Sequence, residues 1–156
     1  VAYTLKMSYK TDHKIEGFFE YVVPPLEGFW WQDGVNGVDY GDKSTFNWIS
    51  VIRLPDFVTE ADFRWAVDTA AKKKKLDCPA AELLPIDEGL CVQILHIGSY
   101  DAEPETVAVL DRFLAENGYV NDFSPIRLHH EIYLSDARKT APDKLKTVIR
   151  HPIKQI

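Results

Sequence analysis

Cysteine is scarce in this chain. Its two thiols, Cys78 and Cys91, are too few and too far apart for a metal knuckle or a redox pair. They read as a reduced intracellular pair. Positive charge is also short: 18 Lys and Arg against 24 Asp and Glu leave a net charge of −6, which repels a phosphate backbone. The single basic cluster, Lys72–Lys75, reads as a solvated helix end favoured by the helix dipole rather than as a nucleic-acid patch. No apolar run approaches the roughly 20 residues that a membrane span needs, and no signal-peptide pattern is visible. There is no G-x-S-x-G elbow, no Gly-rich phosphate loop and no dinucleotide fingerprint. These absences argue for a cytoplasmic protein with no membrane contact, no direct nucleic-acid contact and no cofactor.

What is present is an ordinary globular composition, 46% hydrophobic and 27% charged over 156 residues, which suits one domain with a real core. Ala2–Tyr9 reads as the tail of a helix. Ile15–Val23 reads as a strand broken by Pro24-Pro25, and Leu26–Gln32 carries Trp30-Trp31 on a further extended arm. Asp33–Lys43, with its glycines and aspartates, is a turn or mobile loop. Thr45–Leu54 is a second strand. Thr59–Lys75 is a helix: Thr59 is a natural N-cap, Asp62 stands at the capping-box position, and Phe63, Ala66, Val67 and Ala70 form its apolar stripe.

The second half has a cleaner rhythm. Gly89–Gly98 is a strand, Pro104–Asn117 a helix stopped by Gly118, and Arg127–Leu134 and Lys146–Ile153 are strands. The order is strand, helix, strand, strand. The first half repeats that unit without its opening strand and most of its helix. On this reading residues 1–56 are the remainder of a first module, 57–87 a connecting helix and loop, and 88–156 a second module. Roughly 50 residues, enough for a strand and a helix, are expected upstream of Val1. A sheet edge left open by their absence would need cover from another chain, as in a homodimer.

The segment His129-His130-Glu131-Ile132-Tyr133-Leu134 carries the chemistry. As a strand it sets Arg127, His129, Glu131 and Tyr133 on one face, and Leu128, His130, Ile132 and Leu134 on the other. A carboxylate and a phenol on one face suggest a polar floor in an apolar pocket. His129 and His130 point apart and cannot chelate one metal, and nothing nearby supplies a third ligand, so no metal is expected.

Three segments, Ile15–Trp31 (IEGFFEYVVPPLEGFWW), Gln93–Pro104 (QILHIGSYDAEP) and His129–Arg150, resemble the GyrI-like small-molecule-binding family, in particular its stand-alone bacterial branch. The resemblance implies an α+β fold of two β-α-β-β modules side by side, with antiparallel sheets and a ligand cleft between them. Relatives include effector domains of multidrug-sensing regulators and a gyrase-inhibitory protein. Some stand-alone members hydrolyse cyclopropane-bearing DNA-alkylating natural products and so detoxify them. The implied partner is a flat, hydrophobic, aromatic small molecule. The implied activity is either cofactor-independent ring-opening hydrolysis or binding alone.

Within that resemblance Glu131 is the first candidate. A carboxylate in an apolar cleft could orient or deprotonate water, or face a cationic ligand. The plainer alternative is an exposed strand residue paired with Arg127 or Lys146. Tyr133, on the same face, either donates a hydrogen bond to an oxygen gaining charge or simply packs. His129 either tunes Glu131 or lies at the rim. Glu103, at a strand–helix junction, is either a second acid or a plain helix-start carboxylate. Trp30, Trp31, Phe19, Tyr21, Trp48 and Tyr100 are candidate ligand walls. Alternation sends Trp30 and Trp31 to opposite faces, so one of them should face the cleft.

Overall fold

Antiparallel pairing sets the architecture. The computed structural model describes residues 1–74 and 78–156. Among these the elements run α1 (Ala2–Lys6), β1 (Glu27–Trp31), β2 (Asn47–Val51), α2 (Glu60–Lys74), β3 (Cys91–Ile97), α3 (Glu103–Glu116), β4 (Tyr119–Asn121), β5 (His129–Tyr133) and β6 (Lys146–Gln155). All strands are antiparallel in the order β2-β1-β5-β6-β3, with β4 also pairing to β6. The class is α+β. Val1–Pro24 and Ile52–Ile86 form one compact unit; Pro25–Val51 and Asp87–Ile156 form another.

In the first unit α1 packs on α2 around Leu5, Ile15 and Ala66, with Phe18, Leu54, Phe57, Val58 and Trp65 against them. The start of α2 is the expected reciprocal cap: Asp62 Oδ2 accepts from the Thr59 N–H at 3.0 Å, and the Asp62 N–H donates to Thr59 Oγ1 at 3.3 Å. Lys75 lies outside the described residues. The strand expected over Ile15–Val23 does not form. Gly17 turns the chain at φ +73°, and Phe18, Phe19 and Tyr21 all gather on the Phe57 ring, at centroid distances of 5.5, 5.1 and 6.0 Å. Side chains on one ring cannot also alternate along a strand.

In the second unit the ten-residue β6 is the spine. It pairs with β5 over Thr147–Arg150, with β3 over Lys146–Pro152 and with β4 over Ile153–Gln155. Helix α3 lays Leu110 and Leu114 against Val92, Ile94, Tyr119 and Ile153. It ends at Gly118, φ +75°, as the sequence suggests. The strand β4 has no forewarning in the sequence; three residues are too few to show a period. Arg127 falls before β5 rather than on Glu131's face. Its guanidinium bonds Asp122 and the carbonyls of Glu88 (3.1 Å) and Leu90 (2.8 Å), so it fastens the entry of β5.

The two faces of the sheet differ in a way that alternation alone does not disclose. His130, expected among apolar neighbours, is buried and bridges two carboxylates: Nδ1 to Glu88 Oε1 and Nε2 to Glu27 Oε2, both 2.8 Å. Phe29 stacks on its ring at 4.1 Å, and Arg150 closes the cluster on Glu88 at 2.7 Å. Burial alone would lower the His130 pKa, but the bonds and charges of Glu27 and Glu88 win, and it is raised. A raised folded pKa contributes stability that is complete below the unfolded value of about 6.5. That stability is lost as pH rises through the folded value. Urea unfolding of the full chain should therefore show a wild-type advantage over His130→Leu at pH 6. At pH 9 that advantage should shrink by about 1 to 3 kcal/mol.

Candidate active site

The face of the sheet opposite the His130 cluster carries a cavity of about 300 Å³ within the second unit, lined by Trp30, Val38, Tyr40, Lys43, Phe46, Tyr100, Glu103, His129, Glu131 and Tyr133. Pairing explains the convergence. Trp30 of β1 stands opposite His129 of β5, and Gly28 opposite Glu131, so Trp30, His129, Glu131 and Tyr133 share one face.

Glu131 is buried at the centre of a chain of donors. Its Oε1 accepts from His129 Nε2 at 2.9 Å and its Oε2 from the Tyr133 hydroxyl at 2.7 Å. Trp30 Nε1 in turn donates to the Tyr133 oxygen at 2.8 Å. Gly28 makes that last bond sterically feasible: a Cβ there would lie 2.7 Å from Trp30 Nε1 and 2.9 Å from the Tyr133 oxygen. Burial by itself would raise the Glu131 pKa, but the His129 and Tyr133 bonds outweigh it and hold the carboxyl below its usual range.

Glu103, the first residue of α3, is the opposite case. It is 2% exposed. Burial first, then the charge of Glu131 and a hydrogen bond to it, push its pKa up to about 9. The pair therefore holds one proton at neutral pH, on Glu103. Glu103 Oε1 is buried without a hydrogen-bond partner, while the Tyr40 hydroxyl, also buried, interacts with the Glu103 carboxyl. Burial, and next the charges of Glu103 and Glu131, raise the Tyr40 pKa, so its hydroxyl keeps its proton. The Tyr133 phenol is raised by burial and Glu131 in the same way.

Two devices hold the cavity's walls. The 33–43 loop, expected to be a turn or mobile, is anchored by the buried Gln32 amide, which donates to the carbonyls of Asp39 (3.2 Å) and Asp42 (3.0 Å) and to Thr45 Oγ1 (2.8 Å). Lys43 at its end forms an ion pair with Asp101, just before α3. At the head of α3, His96 Nδ1 meets Thr106 Oγ1 at 2.8 Å and its Nε2 meets the Ser99 carbonyl at 2.9 Å. That clamps the turn carrying Tyr100 and Glu103.

Among the residues singled out from sequence, Glu131, Glu103, Tyr133, Trp30, Tyr100 and His129 come together here. Tyr100 sits edge-on to Tyr133 at 6.1 Å. Of the two adjacent tryptophans, Trp30 faces the cavity and Trp31 does not line it. Trp48 approaches the Trp30 ring at 6.2 Å but is 59% exposed and outside the lining. Phe19 and Tyr21 belong to the first unit, where they line a different, shallower cavity with Phe57 and Pro55. That cavity is larger, about 480 Å³. Its lining is mainly apolar, with Arg53 and Asp56 its charged residues. The sequence reading missed Val38, Tyr40 and Lys43, because a Gly/Asp-rich loop gives no period from which to read direction. Among the described residues no group of three or more His, Cys, Asp or Glu side chains is arranged to hold a metal ion, and no helix is long and apolar enough to cross a membrane.

An aromatic-walled cavity with a few polar groups at its floor, on one face of an antiparallel sheet, suits a small-molecule-binding α+β domain. The chain belongs to the GyrI-like small molecule binding domain family, whose profile matches residues 5–154. It is similar to a hydrolase from Listeria innocua, at 42% identity and a TM-score of 0.86 over 98% of this chain and 74% of that one. An uncharacterized conserved protein of the same organism is similar at 45% and 0.88, with the same coverage of 98% and 74%. A hydrolase encoded by lin2189 of that organism follows at 44% and 0.87, again over 98% and 74%. No curated protein matches.

Two outcomes follow from the geometry. Glu131→Gln removes the like charge, so the Glu103 titration, followed by carboxyl 13C NMR, should fall from about 9 yet stay above the ordinary carboxylate value, because burial is the larger cause. Gly28→Ala should force Trp30 and Tyr133 apart and cost about 1 to 3 kcal/mol, read by thermal unfolding.

Proposed function

We propose that this domain holds a flat, hydrophobic, aromatic small molecule in the second-unit cavity and hydrolyses it, opening the cyclopropane of a DNA-alkylating natural product with water. In a bacterial cytoplasm that reaction is a detoxification. The observation that carries the reading is the carboxyl pair: Glu131 ionised and Glu103 protonated at neutral pH, hydrogen-bonded to each other in a site walled by Trp30, Tyr40, Phe46 and Tyr100. Similarity above 40% to two proteins described as hydrolases supports it. At about 300 Å³ the cavity is at the small end for ligand sites, which suits the ring-bearing head of an extended molecule.

The chemistry needs a base, an acid and orientation. Glu131 takes a proton from water as its oxygen bonds the cyclopropane carbon. The strained C–C bond breaks, and its electron pair passes through the conjugated system to the carbonyl oxygen. Glu103, whose Oε1 is buried without a partner, and the Tyr40 hydroxyl beside it are the donors available to that oxygen as it gains charge. Glu103 gives it a proton, and the proton gained by Glu131 crosses the hydrogen bond to Glu103, restoring the pair. One water is consumed and no cofactor is required. Tyr133 and His129 keep Glu131 ionised and fixed, and the aromatic walls hold the ring system for attack.

A second reading is binding without turnover, as in a drug sink or effector-sensing domain. An ionised Glu131 beneath aromatic rings favours a cationic ligand in that case. Mass spectrometry of a cyclopropane-bearing DNA alkylator incubated with the protein separates the two. Hydrolysis predicts catalytic appearance of the water adduct, with kcat reduced about 100-fold or more in Glu131→Gln and Glu103→Gln and a smaller change in KM. An unaltered compound that co-purifies with the protein, and is lost in Glu131→Gln, would replace hydrolysis by binding.

A further inference from the structure

Beyond Glu131 the donor chain continues to a residue that the mechanism above does not use. His151 of β6 shares the cavity face of the sheet. It is 2% exposed, and its Nε2 lies 2.7 Å from His129 Nδ1. His129, itself 1% exposed, therefore spends one ring nitrogen on His151 and the other on Glu131. The remaining nitrogen of His151, Nδ1, is buried with no partner. The Phe123 ring packs edge-on to His151 at 4.9 Å, and Tyr40 packs edge-on to His129 at 6.3 Å.

Proton counting restricts this pair. Burial is the larger cause that holds the His151 pKa down to about 3, the charge of His129 adding to it whenever that ring is protonated, so His151 is neutral and carries one proton. Suppose that proton were on Nδ1. A buried N–H would then have no acceptor, and His129 would need protons on both nitrogens to satisfy both contacts. With the proton on Nε2, His151 donates to His129, His129 donates to Glu131, and only an acceptor lone pair is left unfilled. An orphaned buried N–H is the rarer and costlier outcome.

We propose that His151 is a positioning residue: its Nε2–H donates to Nδ1 of His129 and so fixes the His129 proton on Nε2, aimed at the Glu131 carboxylate. Second-layer partners of this kind set the tautomer and orientation of the imidazole they touch. Here the imidazole supports a carboxylate. The arrangement is a property of the ligand-free protein, and its catalytic consequence rests on the hydrolytic reading above.

The test is 15N NMR of the imidazoles in the full chain, without ligand. Protons on Nε2 of both His151 and His129, with a scalar coupling across the N–H···N bond, are expected. A proton on Nδ1 of His151 overturns the proposal. In His151→Phe the His129 tautomer should scramble and the Glu131 carboxyl titration should move up. His151→Gln, whose amide nitrogen can stand where Nε2 stood, should restore both. A His151→Phe protein with an unchanged His129 tautomer and Glu131 titration also overturns it. With a cyclopropane alkylator, His151→Phe should lower kcat about tenfold at constant KM, and His151→Gln should recover it. Absence of turnover in the wild type overturns the hydrolytic reading alone, because the imidazole signals are read without ligand.

Discussion

A buried carboxylate is the constraint around which the second unit is arranged. Glu131 sits in the middle of an antiparallel sheet, 7% exposed, where an ionised group survives only with donors on its oxygens. Its needs reach into three strands: His129 and Tyr133 on β5, Trp30 on β1 behind Tyr133, and His151 on β6 behind His129. Gly28 gives up a side chain so that the Trp30–Tyr133 bond can close. The ionised state of Glu131 then sets the state of Glu103, whose own burial already favours the proton. One charge and its neighbours account for most of the polar order on this face.

The other face solves a different problem with similar parts. His130, next in sequence to His129, is driven outward by alternation into a bridge between Glu27 and Glu88, reinforced by Arg150. Adjacent histidines thus serve opposite electrostatic ends. One supports a buried carboxylate, and the other is drawn toward its protonated form between two carboxylates. The second cluster ties the start of β1 to the segment before β3, which keeps the strands beneath the cavity in register.

Family membership and site geometry make complementary contributions. The GyrI-like assignment covers residues 5–154 and describes small-molecule binding, which is silent on chemistry. The coupling of the Glu103 and Glu131 carboxyls is what the hydrolytic proposal rests on. The loop from Asp33 to Lys43 adds the walls, and its anchoring by Gln32 explains how a glycine-rich segment can present Tyr40 at a defined place.

Much of the fold was legible in the sequence, because period and punctuation are local. The reciprocal cap of Thr59 and Asp62, the helix opening at Glu103-Pro104 and closing at Gly118, and the strands around 91–97, 129–133 and 146–155 all follow from residues within a few positions of each other. The same logic placed Glu131 and Tyr133 on one face and required Trp30 and Trp31 to diverge. It failed at Ile15–Val23, where the aromatics found a shared partner in Phe57, some 35 to 40 residues away, and the extended pattern yielded to packing. The sequence alone determined which residue types were on hand and the direction each strand residue takes relative to its neighbours. Only the tertiary structure decided that Glu103 would meet Glu131, that Tyr40 would turn inward, and that His151 would stand behind His129. Those meetings depend on strand register and loop path, and the protonation states that give the site its chemistry depend on the meetings.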